Sequence, residues 1–242
     1  MTRKFLGPLL VLGLVLAALA PVRATAPRWT LSLGQIREQT RGYTIGMQFP
    51  KLSWPGRPEV ARAFNAASRK PVDAALADFR REFSVSGGQG SGLPWDLRSQ
   101  WETAFRCRAL VSGVLVLSSF TGGAHPNPWL ASLNFDLEKG RPLELGDLFQ
   151  PGSGYLRLLS ESCLAELRTR ADEMTFAEDG AAPKAENYQV WTLGPKGLKV
   201  IFPPYQVAPY AVGTVEVEIP WGRLAGSLRP GSLADRLARG EF

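Results

Sequence analysis

A single histidine, His125, two cysteines, Cys107 and Cys163, and 22 carboxylates are what this chain has for acid–base, nucleophilic or metal chemistry. One imidazole excludes HExxH and every multi-histidine zinc site. A Ser-His-Asp set would have to combine His125 with Ser118, Ser119 or Ser132 and Asp136, and no G-x-S-x-G elbow supports that grouping. The run Gly87-Gly88-Gln89-Gly90-Ser91-Gly92 follows a helical stretch rather than a strand and is not followed by Lys-Ser/Thr, so it reads as a loop and not a phosphate cradle. No local pattern singles out two acids for glycoside hydrolysis. The chain therefore reads as a non-enzyme with no catalytic residue, no metal ligand and no cofactor.

Two segments stand out as contact surfaces instead. In Phe120-Thr121-Gly122-Gly123-Ala124-His125-Pro126-Asn127-Pro128 a strongly apolar strand breaks into paired glycines and two prolines. Glycine permits positive φ and proline fixes φ, which describes a rigid turn able to present His125 and Asn127 to a ligand. The alternative is a purely structural turn in which His125 hydrogen-bonds backbone. In Phe202-Pro203-Pro204-Tyr205-Gln206-Val207-Ala208-Pro209-Tyr210 three prolines stiffen a connection that carries Tyr205 and Tyr210, residues suited to contact. The alternative there is that both rings pack over a sheet.

The elements that must hold these segments follow from periodicity. Alternation predicts strands over 29–36 and 43–54, with Tyr43, Ile45, Met47 and Phe49 on one face. Val60, Phe64, Val72, Leu76, Phe79 and Phe83 predict a helical stretch over 58–83, with a kink or a break into two helices at Pro71. Further strands are expected over 95–107, 109–120 and 129–136, the middle one most apolar and central. A helix over about 154–175 and strands over 188–193, 198–202 and 212–219 complete the chain. The expected class is α+β, with antiparallel sheet or sheets and two main helical segments packed on them.

Cys107 falls on the face of its strand shared with Trp101 and Phe105, and Cys163 on the apolar side of a helix with Leu156, Leu159 and Leu167. Both are expected in the core, and a bond between them is expected, closing a loop of about 57 residues worth about 4 kcal/mol in the chain-entropy model. Two separate buried thiols are the alternative.

The opening residues Met1-Thr2-Arg3-Lys4, the uncharged run Phe5–Ala20 and the ending Ala24-Thr25-Ala26 read as a cleavable secretory leader. Losing Arg3, Lys4 and Arg23 without any acid lowers the net charge by three from +6. The remaining charges are interspersed, which argues against nucleic acid as a partner. No later run of apolar residues is long enough to span a bilayer.

Four motifs in order, Thr121-Gly122-Gly123-Ala124-His125-Pro126-Asn127, Leu145-Gly146-Asp147-Leu148-Phe149, Gly197-Leu198-Lys199-Val200-Ile201-Phe202 and Tyr205–Gly213, closing on Ile219-Pro220, resemble an extracytoplasmic bacterial family of largely unknown function. That family includes the lysozyme-sensing ectodomain of the anti-sigma factor RsiV and the accessory domain of the peptidoglycan deacetylase PdaC. The resemblance divides the chain into a leader (1–26), an N-terminal block resembling the PdaC accessory domain (27–140), a C-terminal block resembling the RsiV ectodomain (141–226) and a tail (227–242). RsiV-type sensors have a cytoplasmic segment before their membrane span, whereas four residues precede the apolar run here, and no deacetylase metal ligands accompany the module. The resemblance implies a periplasmic or secreted module that binds a lysozyme-like protein or peptidoglycan. A structural or envelope-assembly protein is the next reading, and a hydrolase with an unrecognised site follows it. Amino-terminal sequencing of exported protein is expected to begin at or near Pro27, and a first residue of Met1 would contradict the leader.

Overall fold

The computed structural model describes residues 29–87 and 92–242. The expected leader and the centre of the glycine-rich run lie outside the described residues. Strands β1 (Thr30–Gln39) and β2 (Tyr43–Ser53) precede helix α1 (Pro58–Ser86), followed by β3 (Trp95–Cys107), β4 (Leu110–Phe120), β5 (Asn127–Asp136) and the two-residue β6 (Arg141–Pro142). These strands form one six-stranded sheet in chain order. A second part holds helix α2 (Tyr155–Leu167) and a three-stranded sheet of β7 (Trp191–Leu193), β8 (Gly197–Phe202) and β9 (Val215–Pro220). The α+β class is as the sequence indicates.

Three features of the main helices and of the strand pairing depart from the expectation. Strands β2 and β3 are parallel, while every other ladder is antiparallel. The cause is α1: a helix between two neighbouring strands carries the chain back to the end where the first one began. Helix α1 is also unbroken at Pro71. Proline inside a helix costs about 3 kcal/mol, but Val60, Phe64, Ser68, Val72, Leu76 and Phe79 stay buried on one stripe through that point, so packing holds both halves in line. Finally, α2 ends at Leu167, where the apolar spacing stops and the polar turn Arg168–Arg170 follows.

One core lies between α1 and the inner face of the large sheet, with Phe64, Phe79, Met47, Leu97 and Phe135 among its members. Edge-on aromatic contacts run through it, as between Phe64 and Phe135 at 5.2 Å. The other core gathers α2, the small sheet and the end of the chain. Residues 227–242, which the sequence sets apart as a tail, contribute the helix Leu233–Ala238 with Leu233, Ala234 and Leu237 buried.

The expected disulfide is absent: Cys107 and Cys163 are free thiols. Cys163 is buried in the second core and Cys107 is half-buried against it. Cys107 does not share the face of Trp101 as expected, because a bulge between Thr103 and Phe105 turns Phe105 and Cys107 to the opposite side of the sheet while Trp101 faces the first core. Facing a common core does not bring two Cα atoms to the 4.4–6.8 Å or so that a bridge requires. Burial pushes the Cys163 thiol up to about 12 and raises that of Cys107, so neither is poised as a thiolate.

The two sheets are joined by side chains. Ser112 and Asn134, directly opposite on β4 and β5, are both buried on the outer face of the large sheet. The Ser112 hydroxyl donates to Asn134 Oδ1 at 2.6 Å, and the Asn134 amide donates to the Trp191 carbonyl at 2.8 Å. The Leu193 N–H then donates to Ser112 Oγ at 2.8 Å. Next to Ser112, Gly113 is fixed by crowding, because a Cβ there would run into the Glu102 carbonyl and the Trp101 ring. Ser112→Ala and Asn134→Ala are each expected to destabilise by about 1–3 kcal/mol, since each strands a buried partner. Urea unfolding of the two single variants and the double variant checks this, with the double costing less than the sum because the three groups act as one network.

Candidate functional site

The loop between β4 and β5 turns with Gly122 at φ 95° and enters β5 through Pro126 and Asn127. The loop between β8 and β9 is held from beneath. Val207 and Ala208 are buried, and the Gln206 amide donates to the carbonyls of Gly180 (2.8 Å) and Asn187 (2.9 Å). Gly180 is needed there because a Cβ would strike the Gln206 carbonyl. The clamp leaves Tyr205 59% exposed. Tyr205 also sits at φ 72°, a region that non-glycine residues rarely occupy.

These two loops, far apart in sequence, meet. The His125 and Tyr210 rings stack with centroids 4.1 Å apart and 22° between planes, and Tyr205 lies 5.5 Å beyond Tyr210 at 35°. The Tyr210 hydroxyl donates to the Pro126 carbonyl at 3.2 Å, across 84 residues of chain. That carbonyl also lies 2.9 Å from His125 Nδ1, which must carry the proton to donate to it. His125 therefore has the turn-forming contact, and its ring is one member of a three-ring rim. Asn127 opens β5 opposite Ser119 and is exposed, beside the stack but not in it.

The serine and carboxylate groups considered with His125 are not assembled around it. Asp136 is at the far end of β5 from Asn127, about 30 Å away at roughly 3.4 Å per residue, and its carboxylate accepts the N–H groups of Glu138 and Lys139. Ser132 is occupied at Gln189 and Trp191. Among the described residues no serine or carboxylate hydrogen-bonds His125, and no group of His, Cys, Asp or Glu could hold a metal ion.

The Leu145–Phe149 motif is scaffolding. Glu144 and Asp147 form a reciprocal cap on a 3-10 turn, and Arg141 grips Asp147 through two bonds of 2.7 and 3.1 Å. Arg229 closes the same turn against the end of the chain through Leu148 and Phe149. That guanidinium grip by Arg141 holds the Asp147 carboxyl below the usual aspartate range.

A further surface is not apparent from sequence. The outer face of the large sheet between β1 and β4 is an open trough of about 670 Å³ that includes Gln35, Arg37, Gln48, Arg98 and Gln100. These residues are scattered over three of its strands, and no spacing in the sequence marks them as neighbours.

Residues 146–222 match the model of a family described as a protein of unknown function, DUF3298. The chain resembles the DUF3298 and PdaC-like proteins. It is 29% identical over 158 residues to the peptidoglycan-N-acetylmuramic acid deacetylase PdaC of Bacillus subtilis, a match covering 64% of this chain and 34% of that protein, so the chain spans about a third of that relative's length. It is 27% identical over 161 residues to the esterase Rv3036c of Mycobacterium tuberculosis, covering 62% of this chain and 70% of that protein. A DUF3298 family protein of Bacteroides fragilis superposes with a TM-score of 0.65 at 16% identity, over 87% of this chain and 98% of its own, and so has the same fold. The DUF3298 stretch includes the Tyr205–Tyr210 loop but not the β4–β5 turn that carries His125. No helix among the described residues is long and apolar enough to cross a membrane.

Because the folded-state pKa of Asp147 is depressed, its contribution to stability is present above the unfolded carboxylate range and is lost as pH falls through the folded value. Asp147→Asn is therefore expected to lower the melting temperature at pH 7 and to flatten its decline below about pH 4, near the ordinary aspartate pKa. Thermal melts of parent and variant across that range check the sign.

Proposed function

We propose that this chain is an exported, non-catalytic module of the cell envelope that binds an envelope ligand, a lysozyme-like protein or peptidoglycan, through the rim of His125, Tyr210 and Tyr205. The observation that carries this reading is the exposed, positive-φ Tyr205 on a clamped loop, continued by the Tyr210–His125 stack. A residue held in an unfavourable backbone region with most of its ring in water contributes little to folding, and such outliers cluster where a site needs them. Rigid aromatic residues also lose little entropy on binding. The leader-like opening and the relative named for peptidoglycan support an extracytoplasmic location.

The test is capture of the mature chain by insoluble peptidoglycan and by immobilised lysozyme. Tyr205→Ala and Tyr210→Ala are each expected to weaken capture by about 1–3 kcal/mol, the size of an ordinary hot spot. His125→Ala is expected to weaken it less. Tyr205→Gly should lose capture while keeping or raising the melting temperature, because glycine tolerates positive φ; a packing residue would do the reverse. Folded tyrosine variants that bind as tightly as the parent would end the reading. Ester turnover that disappears in His125→Ala would replace it with the hydrolase reading that the esterase relative raises.

A further inference from the structure

The trough on the outer face of the large sheet is built from aligned rows. Register places Arg37 of β1 opposite Gly46 of β2, Gly46 beside Arg98 of β3, and Arg98 opposite Ser118 of β4. Adjacent strands are about 4.8 Å apart, so the two arginines start from Cα positions roughly 10 Å apart on either side of a glycine. That glycine is bare floor: a Cβ built on Gly46 would meet nothing within 4 Å. The neighbouring row sets Gln35 opposite Gln48 and Gln100 opposite Val116.

Apart from an ion pair between Arg98 and Asp96, these side chains have no partner among the described residues. Arg98 uses Nε on Asp96 at 2.7 Å, which leaves its terminal nitrogens. Among the described residues Arg37 makes no ion pair, and no hydrogen bond engages the side-chain amides of Gln35, Gln48 or Gln100. Glu38, the acid beside Arg37, is taken up by Tyr43 and Arg80. With Arg98 paired to Asp96 and Glu38 paired to Arg80, Arg37 is the one uncompensated charge among the described residues lining the trough, and it is positive.

On the face of a sheet the main-chain groups are spent in the ladders, so side chains alone must recognise a ligand. An extended peptide gains affinity by pairing its backbone with a sheet edge, which this face does not offer. Guanidinium forks match carboxylates, and each glutamine amide presents a donor and an acceptor to hydroxyl groups. We infer that this trough is a binding site for a carboxylate-bearing oligosaccharide, with the acid group over Gly46 between Arg37 and Arg98 and the sugar hydroxyls against the glutamines. A second trough of about 420 Å³ shares Val116 and is walled by Ile201 and the paired Lys199 and Glu216 of the small sheet and by Glu102. It offers length for a further sugar ring but repels a second acid group, which confines the carboxylate to Arg37 and Arg98. The site uses none of the rim residues, so either can fail alone.

The experiment titrates the mature chain with tetragalacturonate, maltotetraose and tetraglutamate, by calorimetry and by NMR of backbone and glutamine amides. Tetragalacturonate should bind and shift the signals of Gly46, Gln35 and Gln48, with maltotetraose and tetraglutamate each weaker. Arg37→Ala and Arg98→Ala should each weaken tetragalacturonate by about tenfold or more, the size of a charge-assisted hydrogen bond. Gly46→Val suits a strand and fills the floor, so it should abolish binding with the melting temperature kept. Tyr205→Ala should leave binding unchanged. The inference is overturned if tetragalacturonate does not bind, if both arginine variants bind as the parent does, or if tetraglutamate binds as tightly as the glycan. Loss of binding in Tyr205→Ala would also overturn it, because the site would then be the rim.

Discussion

The hydrogen-bonded junction of Ser112, Asn134 and the main chain at Trp191 and Leu193 is the constraint on which the rest of the molecule depends. The two sheets share no strand, so no ladder holds one against the other. Instead, two buried polar side chains on β4 and β5 supply partners that the peptide groups of β7 would otherwise lack. Burying such groups unpaired would be costly, and burying them paired makes the docking specific in a way that apolar contact alone is not. Ser132 extends the same junction to Gln189.

That docking determines what stands beside what. With the small sheet seated over β4 and β5, the long loop after β8 reaches the turn after β4, and Tyr210 closes on His125 and on the Pro126 carbonyl. The loop does not rely on that contact for its shape. It is tied below by Gln206 and by the close approach at Gly180, so the rim is rigid before any partner arrives. The small sheet also bounds the open trough, since Lys199 and Ile201 wall its continuation.

The DUF3298 protein of Bacteroides fragilis shares this scaffold at 16% identity, and the sequence relatives carry names for different activities. Such spread is expected where function resides in loops and exposed faces rather than in the core. In this chain the contacts that secure the fold, the Leu145–Phe149 turn and the Ser112–Asn134 junction, share no residue with the aromatic rim or with the trough. Surface residues can therefore change without disturbing what holds the fold.

Local rules are legible along the chain. Alternation and, for β4, a continuous apolar run locate β1 to β5, the spacing of Val60, Phe64, Val72, Leu76 and Phe79 locates α1, and prolines and glycines mark both loops of the rim. Periodicity reports which face of an element is apolar, and it reports nothing about what that face meets. For that reason the sequence assigns Cys163 to the core correctly, while a bulge in β3 turns Cys107 away from the face of Trp101 and the bond expected between the cysteines does not form. The same limit hides the parallel pairing of β2 and β3, which follows from how α1 returns the chain, and the integrity of α1 at Pro71, which follows from burial on both sides of it. The stack of His125 on Tyr210 and the row of Arg37, Gly46, Arg98 and Ser118 are products of long-range register. Only the tertiary structure decides these, because their energies come from contacts between segments whose separation along the chain carries no local signal.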